Sequence, residues 1–350
     1  MKDLYKPPKS YFIPGPQRPK PRSGAVADGG KSSFFRNTFF LRLLFFVITA
    51  LLVILAARLQ LPYGFKAEVP EDISQAAAQA GRTMERAIET IKKAKTDAGI
   101  PIMPGTRGVI GEEYNFLTTT LGSLSAKKSA ENPAWASTLV RELWRFGLKK
   151  GDLLALGMSG SFPGLNIALI SAAQALGLEV LAVSSVTASS YGANQEGFTW
   201  PEMEYLLDRV GLLSSVSLGV SLGGSDDAGI DLQPEGRQSA ERIARNSSAA
   251  LGARLIGTKG FRESVEERLA LYKSGAKNRR ISLYVNIGGT QASMGEGGAV
   301  LELSSGFIAP RSFDLGADRG VMARMMEEGV PVLSLLNVKD LGLRWGIPID

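Results

Sequence analysis

The 350-residue chain contains neither cysteine nor histidine. Without cysteine there is no disulfide, no thiolate nucleophile and no cysteine zinc site, so a domain carried outside the cytoplasm would rely on its core alone. Without histidine there is no Ser-His-Asp triad and no imidazole metal ligand, and acid–base work falls to Asp, Glu, Lys or Tyr. Most common hydrolase mechanisms are excluded on these grounds.

A general excess of basic charge is also lacking, despite a net charge of +6. Lys2, Lys6, Lys9, Arg18, Lys20, Arg22, Lys31 and Arg36 stand against only Asp3 and Asp28 in residues 1–36, so this tail carries the whole excess. The remainder is neutral, which excludes the broad basic surface of a nucleic-acid-binding domain. The tail is rich in proline and glycine and reads as a disordered cytoplasmic segment.

What the chain does have is one long apolar run. Phe39–Ala57 reads FFLRLLFFVITALLVILAA, 19 residues with a single charge, which as a helix would cover ~28 Å and cross a bilayer. Arg42 lies near its amino end, where a long side chain reaches the headgroups. No small-x-small cleavage pattern follows around Leu55-Ala56-Ala57, so the run reads as an uncleaved signal anchor. Basic residues precede it and Glu68, Glu71 and Asp72 follow it, which puts the amino terminus in the cytoplasm and the bulk of the chain outside. The expected organisation is a basic tail over 1–36, a transmembrane helix over 37–58 in the cytoplasmic (inner) membrane, and an extracytoplasmic α/β domain over 71–350.

Within that domain, Ile73, Ala77, Ala80, Met84, Ala87 and Ile91 recur at helical spacing, with Asp72 as the expected cap. The small residues of the stripe favour packing on the domain over a self-associating coiled coil. Residues 99–128 read as an irregular linker and Pro133–Leu148 as a helix. From Gly151 strands and helices alternate: Asp152–Leu156, then a helix over Leu165–Leu176, then the strand Glu179–Val186. A capping box at Thr199 and Glu202 starts the next helix. The strand Ser215–Leu222, a helix over Gln238–Leu251, the strand Ile281–Ile287, a helix over Met322–Glu328 and the strand Val332–Leu336 complete the pattern. It predicts an open, mostly parallel sheet with helices on both faces.

Four of these strands end in loops of glycine and hydroxyl residues: 157–161 (GMSGS), 184–194 (SSVTASSYGAN), 223–229 (GGSDDAG) and 288–295 (GGTQASMG). A parallel sheet puts such loops on one edge, where glycine lets backbone N–H groups turn toward a carboxylate or phosphate. The candidate binding residues are Ser159, Gly160, Ser161, Ser189, Asn194, Gly223, Gly224, Ser225, Gly288, Gly289, Thr290 and Gln291. Ser161 ahead of Phe162-Pro163 is equally a good helix start that needs no ligand. No loop matches the phosphate-loop or dinucleotide pattern, so ATP and NAD are not indicated and no cofactor is expected.

Gly157-Met158-Ser159-Gly160-Ser161 approaches the G-x-S-x-G nucleophile elbow but ends in serine. Ser159 and Ser161 are therefore candidate nucleophiles, and Lys259, Lys339 or a carboxylate would have to serve as base. Asp226, Asp227 and Asp231 could hold a divalent cation through oxygen, though acidic loop residues are more often solvated.

The segments GLKKGDLLALGMSGSFPGLNIA, SSVTASSYGAN with FTWPEMEYLL, and VNIGGTQASMG resemble the poly-gamma-glutamate system protein family. That resemblance implies a membrane-anchored accessory protein of poly-gamma-glutamate capsule biosynthesis or export, working beside the membrane proteins of the polymer-forming complex. It carries over no catalytic residue. The residues themselves also admit an extracytoplasmic serine hydrolase or transferase acting on an amide or ester, and a small-ligand sensor with a basic cytoplasmic tail.

Overall fold

The computed structural model describes residues 45–49, 68–257, 260–296, 300, 303–312 and 319–350. The chain divides into two units, Met1–Phe65 and Lys66–Asp350. In the first, residues 45–49 are helical with exposed side chains; the rest of the expected span and the basic tail lie outside the described residues. Among the described residues no helix is long and apolar enough to cross a membrane.

The second unit opens with α1 (Glu71–Asp97). Pro70 occupies its N-cap position and makes no side-chain cap, so Asp72, expected as the cap, sits inside the first turn beside Glu71. There both carboxylates face the positive end of the helix dipole. The stripe Ala77, Ala80, Met84, Ala87 and Ile91 is buried against the domain itself. Its small residues permit close approach: a Cβ on Gly81 would stand 2.6 Å from Ser137 Oγ on a neighbouring helix.

The segment expected as an irregular linker holds a short strand, β1 (Thr118–Thr120), and a helix, α2 (Leu124–Ala130), capped by Ser123. Neither is long enough to leave a periodic signal. Helix α3 (Ala134–Arg145) follows. The alternating part then comprises β2 (Leu153–Met158), α4 (Pro163–Leu176), β3 (Glu179–Ser185), the two-residue strands β4 (Ala188–Ser189), β5 (Asn194–Gln195) and β6 (Phe198–Thr199), and α5 (Trp200–Arg209). Glu202 accepts from the Thr199 N–H at 3.0 Å, the reciprocal half of the expected capping box. Next come β7 (Ser217–Ser221), α6 (Pro234–Leu251), β8 (Arg254–Leu255), α7 (Phe261–Ala276), β9 (Ile281–Ile287), α8 (Gln291–Met294), β10 (Gly306–Ile308), α9 (Val321–Glu327), β11 (Val332–Leu335) and α10 (Val338–Trp345).

Seven strands form one sheet in the order β10-β11-β9-β2-β3-β7-β8, parallel except for the β10–β11 pair. Alternate residues of β2 serve opposite faces. Leu154, Leu156 and Met158 join α1, α3 and α4 in one core, while Leu153 and Ala155 join α7 and α9 in another. Both faces are thus covered, as the apolar runs require. The chain winds from β2 outward through β3, β7 and β8, then returns to place β9 on the other side of β2. The sheet's topological switch point therefore lies between β2 and β9, and the carboxyl ends of those strands open a crevice there.

Candidate functional site

The four expected loops meet at that crevice, together with a fifth segment that the sequence did not single out. They enclose a cleft of about 140 Å³. After β2, Ser159 is buried, and its Oγ accepts from the Ser161 N–H at 3.2 Å. Ser161 reaches the cleft, and its Oγ accepts from the Ser189 N–H at 3.1 Å. Neither hydroxyl contacts a lysine amine or a carboxylate among its described hydrogen bonds. Of the bases considered from sequence, Lys339 is exposed on α10 and Lys259 lies outside the described residues.

Gly160 serves packing rather than the cleft wall. A Cβ there would stand 2.9 Å from the Thr187 carbonyl and 3.1 Å from that of Val186, so the β2 and β3 loops can nest only on glycine. Its own carbonyl accepts from the Ala193 N–H at 2.7 Å. Asn194, another expected ligand residue, spends its amide inside the protein. Its Oδ1 accepts from the Glu112 N–H, and its Nδ2 donates to the Glu112 carbonyl and to Thr118 Oγ1, all within 3.0 Å.

Thr187, absent from the sequence expectation, is the informative residue of the β3 loop. It lines the cleft and is 3% exposed, and its hydroxyl has no hydrogen-bond partner among the described residues. Buried polar groups are nearly always paired, so an orphan hydroxyl on a residue that lines a cleft calls for a ligand or a water as its partner. Gly223 makes room for it, because a Cβ there would stand 2.6 Å from Thr187 Oγ1. Thr119 and Thr120 also line the cleft, brought in by the parallel pairing of β1 with β4.

After β7 the chain turns through Gly223 and Gly224, both at positive φ, and on through Asp226 and Asp227 at φ 56° and 55°. The Ser225 N–H donates to Asp231 Oδ1 at 3.0 Å, so Asp231 folds back on the loop and supplies the one carboxylate of the cleft lining among the described residues. Asp227 is buried and fully engaged: Arg268 Nη2 donates to it at 2.7 Å, and the Ser221 and Ser264 hydroxyls donate to it as well. This engagement removes Asp227 as a metal ligand. Among the described residues no group of three His, Cys, Asp or Glu could hold a metal ion.

After β9, Gly288 has φ +83° and leaves no room for a side chain, since a Cβ there would collide with Ser159 Oγ, while Gly289, Thr290 and Gln291 line the cleft. A Cβ at Gly289 would meet, among the described residues, only Leu336 Cδ1, at 3.4 Å, so this position of the cleft lining has room for a side chain.

Behind Ser161 stands Lys127, on α2, 2% exposed. Its Nζ donates to the Ser161 carbonyl and, at 2.7 Å, to Ser189 Oγ, and it sits 3.7 Å from the centre of the Phe162 ring. Burial lowers its pKa to about 7. Sequence reading missed it because Lys127 and Lys128 are adjacent on a helix too short to show which one turns inward.

A larger groove of about 440 Å³ opens at the amino-terminal edge of the sheet, beside Tyr272, Ile281 and Val330. Its Arg279 and Arg324 are paired with Glu179 and Glu266. Its lining also includes Lys273, Asn278 and Glu328, and it lies at the opposite end of the strands from the glycine-rich loops. No family model, curated protein or solved structure matches the chain.

Proposed function

We propose that the chain is a membrane-anchored accessory protein of poly-gamma-glutamate biosynthesis or export, whose α/β domain binds a carboxylate-bearing ligand in the switch-point crevice. The observation that carries the binding reading is the convergence of the β2, β3, β7 and β9 loops on one cleft that holds the orphan Thr187 hydroxyl. Lys127 adds a buried amine behind Ser161, about half of it protonated at pH 7, with no carboxylate among its hydrogen-bond partners in the described residues. A positive charge in a low-dielectric wall favours an anion in front of it. Asp231 supplies an acceptor elsewhere in the lining, so the cleft suits a ligand that offers both a carboxylate and an N–H. A glutamyl unit has both.

The assignment to the polymer system rests on the sequence resemblance. The anchor rests on the apolar run and the charge asymmetry around it. Cells carrying Gly289→Val should make the chain at normal levels and lose polymer output. Unchanged output would count against the role. A reporter that works only outside the cytoplasm, fused after Asp350, should be active; an active cytoplasmic reporter at that position would overturn the orientation.

A further inference from the structure

Among the described residues, Lys127 is the amine behind the crevice that is held against a serine hydroxyl, and the serine is neither of the two in the elbow-like motif. Ser189 Oγ lies 2.7 Å from Lys127 Nζ, within the reach a general base requires. Two further contacts fix the amine, the Ser161 carbonyl and the face of the Phe162 ring, and Gly122 leaves the pair its room, since a Cβ there would stand 3.2 Å from Lys127 Cε and 3.1 Å from Ser189 Oγ. The serine is fixed as well, since its N–H donates to Ser161 Oγ, which lines the cleft. Ser189 thus stands one residue behind the cleft wall, 7% exposed.

We infer that Ser189 and Lys127 form a serine–lysine dyad able to carry acyl transfer on an amide or ester carbonyl presented from the crevice. In a chain without histidine, lysine is a side chain able to take a serine proton, provided that it is held neutral. Burial without a counter-charge does this here, setting the amine near neutrality, where about half of it is free base at pH 7. Neutral Lys127 takes the Ser189 hydroxyl proton as Oγ bonds to the carbonyl carbon and the carbonyl π electrons move onto oxygen. When the tetrahedral adduct collapses, the C–N or C–O bond breaks and the lysine ammonium returns its proton to the leaving amine or alkoxide. Water, deprotonated by the same lysine, then attacks the acyl-serine. The acyl group leaves as a carboxylic acid and Ser189 regains its proton.

This activity goes beyond ligand binding and can fail without it. The test treats the full chain with a small sulfonyl fluoride between pH 5.5 and 9 and locates the modified residue by mass spectrometry. Modification should fall on Ser189, with a rate that rises through a midpoint near pH 7. It should vanish in Ser189→Ala and fall by about 10²–10⁴-fold in Lys127→Met, the usual range for losing a general base. Ser189→Cys changes one atom and should be alkylated by iodoacetamide with the same Lys127 dependence, which separates loss of chemistry from loss of fold. Absence of label at any pH, label on Ser159 or Ser161 instead, or a rate indifferent to Lys127→Met would overturn the dyad. Binding of a γ-linked glutamate oligomer is measured separately by calorimetry on the unmutated chain. Its absence there would count against the binding reading alone.

Discussion

The backbone N–H of Asp226 donates to Gln291 Oε1 at 2.5 Å, tying the loop after β7 to the loop after β9. Asp226 lies in the left-handed region, a conformation that costs a non-glycine residue roughly 1–2 kcal/mol and persists only where its surroundings hold it. Gln291→Ala removes the tie. It should lower stability by about 0.5–1.5 kcal/mol, the net worth of one such bond, and weaken ligand binding, because both loops contribute to the cleft. Chemical denaturation and calorimetric titration measure the two effects.

Gly289 and Gly160 are both loop glycines but should respond differently to substitution. Gly289→Val adds bulk at a cleft-lining position with, among the described residues, only Leu336 nearby at 3.4 Å, and should abolish binding while the thermal midpoint stays near that of the wild type. Gly160→Val drives carbon into the Thr187 and Val186 carbonyls and should lower the midpoint itself. Circular dichroism melts beside binding curves distinguish them.

Thr187→Val replaces an orphan hydroxyl by a methyl of the same shape. Without ligand it should leave stability unchanged or raise it by up to about 1–3 kcal/mol, since the unsatisfied group no longer has to be buried. With ligand it should cost about 0.5–1.5 kcal/mol of affinity. A hydroxyl that served the fold would show the opposite pattern.

Arg268→Leu leaves the Asp227 carboxylate buried without its cation, which typically costs about 3–5 kcal/mol. The loop over Gly223–Gly229 should loosen first, because Asp227 is what fixes it to α7. Urea unfolding and proteolysis near Asp226 report the two levels.

Lys127 makes stability depend on pH in a definite direction. Its folded pKa, about 7, lies below the ordinary 10.5, so between those values the unfolded chain binds more protons and stability rises with pH. The contribution is fully present above the unfolded pKa and is lost as pH falls through about 7. Subtracting the Lys127→Met stability curve from that of the wild type should leave a difference that climbs from pH 7 toward pH 10. A flat difference would mean that the lysine titrates normally.

Strands β2, β3, β7 and β9, helices α4 to α6, and the loops that end those strands are legible because alternating apolar runs of the right length are broken by glycine, whereas β4, β5 and β6 are two residues long and leave no pattern. Helix α7 is not legible, because Arg268 interrupts the core stripe of Phe261, Val265 and Tyr272, and its burial makes sense only once Asp227 is seen opposite. The segment with Thr119, Thr120 and Lys127 is also opaque. Its elements are three and seven residues long, and Lys127 is drawn inward by Ser161, Ser189 and Phe162, which come from distant parts of the chain. Asn194 stood out in a serine-rich loop, but nothing local reveals that its amide is consumed by Glu112 and Thr118.

The most direct measurement is amide hydrogen exchange on the full chain with and without a γ-linked glutamate oligomer. Binding in the crevice predicts slowed exchange confined to residues 118–120, 159–161, 186–190, 223–231 and 288–291, and no such slowing in Gly289→Val. Protection at the Tyr272–Val330 groove instead, or no protection at any of the strand-end loops, would contradict it.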